Sequence, residues 1–134
     1  MEMDKEISPD IARRVIENHE RIRALFQQYL ASPADLRQGL VEQILHELAF
    51  HLEMEEHFLF GNLRMLDPYG QKRICVAEVE HEEIKTMILE LQHAEGDDDQ
   101  AMDEFFEDMM QSVRMLFIAE ERDLLPFIDY SMDV

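Results

Sequence analysis

The residues that could do chemistry in this chain begin with a histidine and a glutamate on one predicted helix. His51 and Glu55 stand four residues apart, a spacing that brings two side chains together on one face of an α-helix. The face is otherwise apolar, and its members are Leu40, Ile44, Leu48, His51, Glu55 and Leu59. An imidazole and a carboxylate inside such a stripe are costly unless something pairs with them. A metal ion is a partner that both would accept.

Three further apolar stripes each carry one side chain able to bind a metal. The stripes contain His19, His81 and Glu120 respectively. Together with His51 and Glu55 they supply three imidazoles and two carboxylates, a mixed set that suits iron and also manganese or zinc. A lone interior histidine would more simply be a hydrogen-bonded core residue. A purely structural core of this kind, however, would bury several charges without a cation, so we predict a metal site.

Four predicted helices must position these five residues. Capping residues and turn signals set the boundaries. The first helix runs from Ser8-Pro9 to Leu30, and the second starts at Ser32-Pro33 and Asp35 and ends at residues 61–66. After a turn at Asp67-Pro68-Tyr69-Gly70, the third helix is broken at Gly96, and the fourth ends or kinks at Pro126, before a tail after Phe127 that frays. No stretch alternates with period two between turn signals, so strands are not expected. Short connections predict an all-α, up-down-up-down four-helix bundle in one domain, residues 1–134.

A weak internal repeat relates the second helix pair to the first. HERIRALF from His19 resembles HEEIKTMI from His81 at an offset of 62, and EEHFLFG from Glu55 resembles EERDLLP from Glu120 at an offset of 65. The repeat predicts approximate twofold symmetry, which could place a dinuclear metal site across the bundle core. Glu121 would take the place of Glu120 if the register slipped by one. We prefer Glu120, because the repeat then aligns without a gap.

The repeat also reveals a missing histidine. The position equivalent to His51 is Leu116, or Phe117 after a slip of one residue. Glu78 stands three residues before His81, forming a Glu-x-x-His pair of the kind found in di-iron bundles; the simpler interpretation is a solvated glutamate. The other side chains on these helices are assigned to the surface or to packing: Lys85 reaching solvent, His46, His57 and His93 at the surface or flanks, and Cys75 packing.

Composition excludes several classes of partner. The formal net charge of −19 would repel nucleic acid and anionic membrane surfaces. No apolar run reaches the roughly 20 residues of a membrane span, and the acidic, polar N-terminus is not that of a signal peptide. The single Cys75 cannot form an internal disulfide, so we expect a cytoplasmic location. No nucleophile, separate acid–base pair or phosphate loop supports hydrolytic or transfer chemistry.

The pattern resembles the hemerythrin-like family of HHE cation-binding domains. The resemblance covers nearly the whole chain and is carried by NHERI around His19, HLEMEEHFLF from His51, EHEEI around His81 and EERDLLP from Glu120. It implies a four-helix bundle that holds a non-haem di-iron centre bridged by carboxylates. It also implies reversible O2 binding, sensing of O2, NO or iron, or a role in iron and redox stress.

The resemblance implies unequal halves of that centre. One metal would take His19 and His51, with Glu55 and either Glu120 or Glu121 as bridges. The second metal would keep chiefly His81. The other histidines that hemerythrins proper place on the third and fourth helices fall on Ala77 and on Leu116 or Phe117.

Three outcomes therefore stay open for this site. The second metal binds with Glu78, Glu121 or water filling the gaps; the site is mononuclear; or the chain is a metal-free relative used as an interaction module. Our leading hypothesis is a protein that binds one or two iron ions to sense, bind or buffer O2, NO or iron. The alternatives are a small di-iron oxidase or peroxidase and a metal-poor, partner-binding bundle. A homodimer is compatible with the sequence, which carries no signature for one.

Overall fold

The computed structural model describes the backbone of residues 2–60, 68–93 and 99–126. It contains four α-helices: α1 (Glu2–Ala31), α2 (Ala34–Glu55), α3 (Pro68–Gln92) and α4 (Asp99–Ala119). Two of them continue directly into π-helical segments, α2 into Glu56–Phe60 and α4 into Glu120–Leu124. Over these ranges there is no strand, and none of the helices is long and apolar enough to cross a membrane.

Contacts between helix ends show an antiparallel bundle, which confirms the predicted fold class. Tyr29 near the end of α1 hydrogen-bonds Asp103 near the start of α4, whereas His19 in the middle of α1 meets Glu121 just beyond the end of α4. In the same way, Lys85 in α3 reaches back to Glu56 just past α2. Each helix packs against the next one along the chain, and α4 packs against α1, so the four helices enclose one core.

Most helix boundaries lie close to their predicted positions, and two predictions were wrong. The first helix begins at Glu2 rather than at Ser8-Pro9. The residues before Pro9 are mostly good helix formers, and they extend the helix although an interior proline removes a hydrogen bond and crowds the preceding turn. Pro68–Gly70 form the first turn of α3 rather than a separate turn, a position where proline is tolerated. Asp67, Gly96, the predicted end of the second helix at 61–66 and the tail from Phe127 lie outside the described residues.

The core consists of two apolar clusters with a polar layer between them. On α1 the smaller cluster includes Ile11 and Val15, and the larger one begins at Ile22. His19 lies between the two. The same order recurs on α3, where His81 lies between Ala77 and Ile84.

Most of the stripe residues predicted to face the core are buried. Leu40 is only partly buried, and the side chain of Leu59 is not described. Burial therefore follows the helical periodicity as predicted. One stripe of each helix is buried, and the polar members of the four stripes lie at the same level of the bundle.

Candidate metal centre

Five buried side chains from the four helical stripes meet in this layer: His19, His51, Glu55, His81 and Glu120, each no more than 3% exposed. Four of them, all except His81, each offer one ligand atom, and these atoms lie within 4.8 Å of one another. His81 joins through its Nε2, which lies 2.9 Å from Glu120 Oε2 and 3.4 Å from Glu55 Oε1. The structure thus brings together all five residues that the sequence predicted for the site.

The two carboxylates lie between the imidazoles of opposite helices. Glu120 has Oε1 3.1 Å from His19 Nε2 and Oε2 on the His81 side. Glu55 has Oε2 3.8 Å from His19 Nε2, and its Oε1 lies 3.3 Å from His51 Nε2. Glu120 therefore presents one oxygen to each half of the bundle. Glu55 also contacts both halves, because its Oε1 lies between His51 and His81 while its Oε2 faces His19. Contact with both halves is the arrangement needed to bridge two cations.

Several polar atoms in the cluster are buried without a hydrogen bond, although some lie at ion-pair distance from one another. Among the described residues this set includes His19 Nε2, both ring nitrogens of His51, both oxygens of Glu55 and Glu120 Oε1. A buried donor or acceptor left unsatisfied costs about 1–3 kcal/mol. A cation among these atoms would satisfy nitrogen and oxygen lone pairs together, so the residues present fit a metal ion.

A second layer of carboxylates holds the outer nitrogens of two histidines. His19 Nδ1 lies 2.7 Å from Glu121 Oε2, which also accepts a hydrogen bond from Arg23 Nη1 at 2.9 Å. His81 Nδ1 lies 3.1 Å from Glu56 Oε2. The other oxygen of Glu56 accepts a hydrogen bond from Lys85 Nζ at 2.6 Å. Lys85, which was predicted to reach solvent, is 30% exposed, and its ammonium group is paired with Glu56.

The electrostatics of the metal-free cluster place protons on the imidazoles of His19 and His81. Burial alone would lower the pKa of His19, but the close, negatively charged carboxylates of Glu120 and Glu55 raise it to about 9. The same balance raises the pKa of His81 to about 10. Burial favours a raised pKa for Glu55, yet close contacts with three imidazoles bring it well below its usual value. Burial and the charge of Glu55 raise the pKa of Glu120. A bound cation would have to displace these protons.

The position of the missing histidine is filled by apolar side chains. Leu116 belongs to the larger apolar cluster. Phe117 stacks on the His19 ring, with centroids 3.7 Å apart and planes 8° apart, and its ring meets His51 at 5.5 Å. Ala77 belongs to the smaller apolar cluster. The geometry also separates the two candidate glutamates, because Glu120 points into the cluster while Glu121 binds the outer nitrogen of His19.

A cleft of about 270 Å³ lies between α3 and the end of α4 and reaches Glu120. Its walls include Ala77 and Ala119. The repeat relates these two small residues to Val15 and Met54 in the other half of the bundle. Smaller side chains therefore line the cleft on the histidine-poor side. A separate cleft of about 350 Å³ lies between α1 and α2 and reaches His51 and Met54.

Other candidate residues lie away from the cluster. Glu78 lines a groove with Cys75 and Thr86 on the outer side of α3, so the Glu-x-x-His pair does not converge on the site. Cys75 is exposed, and its predicted packing was wrong because the apolar stripe of α3 passes through Ile74 and Ala77 instead. The three remaining histidines, His46, His57 and His93, are exposed as predicted.

Sequence reasoning missed the second layer of carboxylates, although the repeat contains its signal. Both copies have a histidine followed four residues later by a cation, and both have a Glu-Glu pair. Both Glu-Glu pairs lie where an α-helix gives way to a π-helical segment. Such single π turns occur frequently at functional sites.

The Hemerythrin HHE cation binding domain family matches residues 10–128 of the chain. Comparison with curated proteins and with solved structures gives no significant match. The matched range contains all five residues of the buried cluster, and it spans most of the 134 residues. The chain therefore belongs to the hemerythrin HHE cation-binding family.

Proposed function

We propose that this protein binds iron through His19, His51, Glu55, His81 and Glu120, and that it uses the site to bind or sense O2 or NO or to buffer iron. The observation that carries the proposal is the buried cluster of imidazole and carboxylate atoms without hydrogen bonds. Such a group is expensive to keep in a protein interior unless a cation completes it.

The donor atoms favour a borderline metal. Nitrogen and oxygen ligands suit iron, manganese and zinc, whereas a soft ion would need thiolate or thioether, and Cys75 is exposed on α3. Iron, when bound, would supply reversible binding of diatomic ligands and one-electron redox chemistry. The orientation of both carboxylates toward both halves of the bundle supports room for two ions, the better-equipped position being that of His19 and His51.

The protein surroundings support a small exogenous ligand. Apolar clusters above and below the layer exclude bulk water from the ligands, and low polarity strengthens every electrostatic interaction inside. On the side of His81, the cleft beside Ala77 offers a route to Glu120 for a molecule of a few atoms. We infer that a diatomic ligand would approach from this side.

Metal titration tests the proposal directly. Protein purified without chelators, and apo-protein titrated with Fe(II) without oxygen, should contain one or two ions per chain by elemental analysis. The double variant His51→Gln/Glu55→Gln should lose most of this binding. A matched control, His46→Gln, removes an exposed imidazole from the same helix and should bind like the wild type. Equal binding by all three proteins, or none by the wild type, would overturn the proposal.

The diatomic ligand is tested separately on the iron-loaded protein. Addition of O2 or NO should change the optical spectrum, and removal of the gas should reverse at least the NO-dependent change. Ala77→Val, which copies the residue found at the equivalent position of α1, should slow the response because it narrows the cleft. A protein that binds iron but gives no spectral response would keep the role in iron buffering and refute the role in gas sensing.

A further inference from the structure

We propose that two outer ion pairs, Glu121 with Arg23 and Glu56 with Lys85, are matched positioning pairs for the metal site. Each pair would fix the ring of one histidine so that its Nε2 faces the cluster. The inference rests on the proposed metal binding and adds residues that do not themselves touch the metal.

The first pair joins α1 to the end of α4. Glu121 Oε2 lies 2.7 Å from His19 Nδ1 and 2.9 Å from Arg23 Nη1. Arg23 follows His19 by one helical turn, so both point to the same side of α1. The carboxylate thus lies between the imidazole and the guanidinium, and the opposite ring nitrogen of His19 is directed at Glu120.

The second pair repeats this arrangement between α3 and the end of α2. Glu56 Oε2 lies 3.1 Å from His81 Nδ1, and Glu56 Oε1 lies 2.6 Å from Lys85 Nζ. Lys85 again follows its histidine by one turn. The opposite nitrogen of His81 lies 2.9 Å from Glu120 Oε2. In both halves, therefore, the first glutamate of a Glu-Glu pair lies in the cluster and the second holds a histidine from outside.

The chemistry of imidazole explains why such a pair matters for a metal. A neutral ring has one N–H and one lone pair, and the partner of the outer nitrogen decides which nitrogen keeps the proton. A carboxylate at Nδ1 keeps the N–H there, which leaves the Nε2 lone pair for the metal and makes it more basic. The cation beside each carboxylate holds it in place and balances its charge.

Two features separate these pairs from ordinary surface ion pairs. In both pairs the carboxylate and its cation are each between 27% and 31% exposed, so they are less screened by solvent than a pair with an exposed cation, such as Arg21 at 62% beside Glu47 at 23%. Arg21 and Glu47 form an ion pair of the same chemistry between α1 and α2, but no imidazole of the cluster is among the hydrogen-bond partners described for it. That pair therefore provides a matched control.

The third histidine of the cluster, His51, has no such positioning pair among the described residues. Neither ring nitrogen of His51 has a hydrogen bond among the described residues. Its orientation depends on packing against Phe117 and on Glu55. We therefore expect the outer pairs to act on His19 and His81 and to leave His51 unchanged.

The test compares Glu121→Gln and Glu56→Gln with the control Glu47→Gln in the full chain. Zinc serves as the probe because it is diamagnetic, and its affinity is measured by competition with a chelator. Each of the first two substitutions should weaken zinc binding about 10–100-fold. The control should stay within about twofold, as expected for a surface pair. Arg23→Lys should restore most of the affinity that Arg23→Gln loses.

A second readout follows the imidazoles themselves by 15N NMR, in both the metal-free and the zinc-loaded protein. Glu121→Gln should shift the ring nitrogens of His19 and leave those of His81, and Glu56→Gln should do the reverse. Zinc affinities equal to that of Glu47→Gln, or unshifted imidazole signals, would overturn the inference. If the wild type binds no zinc or iron, the proposed function fails, while the spectra of the metal-free protein still decide whether the pairs orient the rings.

Discussion

The two carboxylates at the centre of this cluster are chemically unequal although both are buried. Glu55 faces three imidazoles, which lower its pKa well below the usual value despite burial. The pKa of Glu120 is raised by burial and by the charge of Glu55. The metal-free layer thus balances one firmly ionised carboxylate against protonated histidines. A metal ion would replace several protons and leave the surrounding contacts in place.

Metal binding should therefore release protons. The pKa values of about 9 for His19 and about 10 for His81 lie above the ordinary 6.5, so both rings carry an extra proton at pH 8 in the metal-free protein. Only the neutral ring binds a metal. Apparent affinity should rise with pH from about 7 to 10 and level off above that range.

Calorimetry in buffers with different ionisation enthalpies measures this proton release. At pH 8 about two protons should be released per chain when the site fills, one each from His19 and His81, and His46→Gln should not change this number. The same number in His19→Gln as in the wild type would contradict the assigned protonation of His19.

At the scale of the helices, sequence predicted the stripes well because burial follows the helical period. His19, His81 and Glu120 could be assigned to the core from position alone, since each falls on an otherwise apolar stripe. Helix ends were harder to predict. Pro9 is a good start signal, but the favourable residues before it extend α1 to Glu2.

The two outer ion pairs could not be predicted from local sequence patterns. Glu121 and His19 lie 102 residues apart, and Glu56 and His81 lie 25 apart. Such contacts depend on how one helix is rotated against another, which periodicity does not specify. The two π-helical segments add a local change of rotation near these carboxylates, which the helical period of the apolar residues does not indicate.

The seam between α1 and α4 should be separable from the metal site. Far from the cluster, the buried Tyr29 donates a hydrogen bond of 3.2 Å to Asp103, and burial together with Asp103 raises its pKa to about 12. Tyr29→Phe keeps the ring and removes the donor, so it should lower the free energy of unfolding by about 0.5–1.5 kcal/mol.

Urea denaturation and zinc titration check this separation together. Metal affinity should stay within about twofold of the wild type, because a site more than 7–10 Å away usually behaves independently. A loss of affinity comparable to that of Glu121→Gln would instead show that the whole seam controls the site.

At the scale of the whole molecule, a metal that binds only the folded state must stabilise it. Binding at a free concentration of 100 times the dissociation constant adds about 2.7 kcal/mol. The net charge of −19 complicates the measurement, since any cation relieves some self-repulsion of so acidic a chain. The proper comparison is therefore zinc or Fe(II) against magnesium at equal ionic strength.

Thermal unfolding should then show a rise in Tm with zinc that magnesium does not reproduce. The double variant His51→Gln/Glu55→Gln should respond equally to both ions. If the wild type also responds equally to both, general charge screening rather than a specific site accounts for the stabilisation, and a metal-poor, partner-binding bundle becomes the better interpretation.

The twofold relation between the halves makes a final prediction about the missing ligand. Leu116 stands one turn before Glu120, as His51 stands one turn before Glu55, and it is buried on the side of α4 that faces Ile84. Leu116→His should place an imidazole where the repeat lacks one. Without metal the substitution should destabilise the fold by about 1–3 kcal/mol, because it buries a polar ring among apolar side chains.

Zinc should reverse that loss and raise the number of ions bound per chain, or the affinity for the weaker one. Met115→His adds an exposed histidine to the same helix and is the matched control, since it supplies an imidazole without directing it inward. Equal stoichiometry and affinity in the two variants would mean that the halves are not equivalent in three dimensions. The Glu-Glu and His-x-x-x-cation echoes would then reflect the helical pattern alone rather than a symmetric site that has lost one of its histidines.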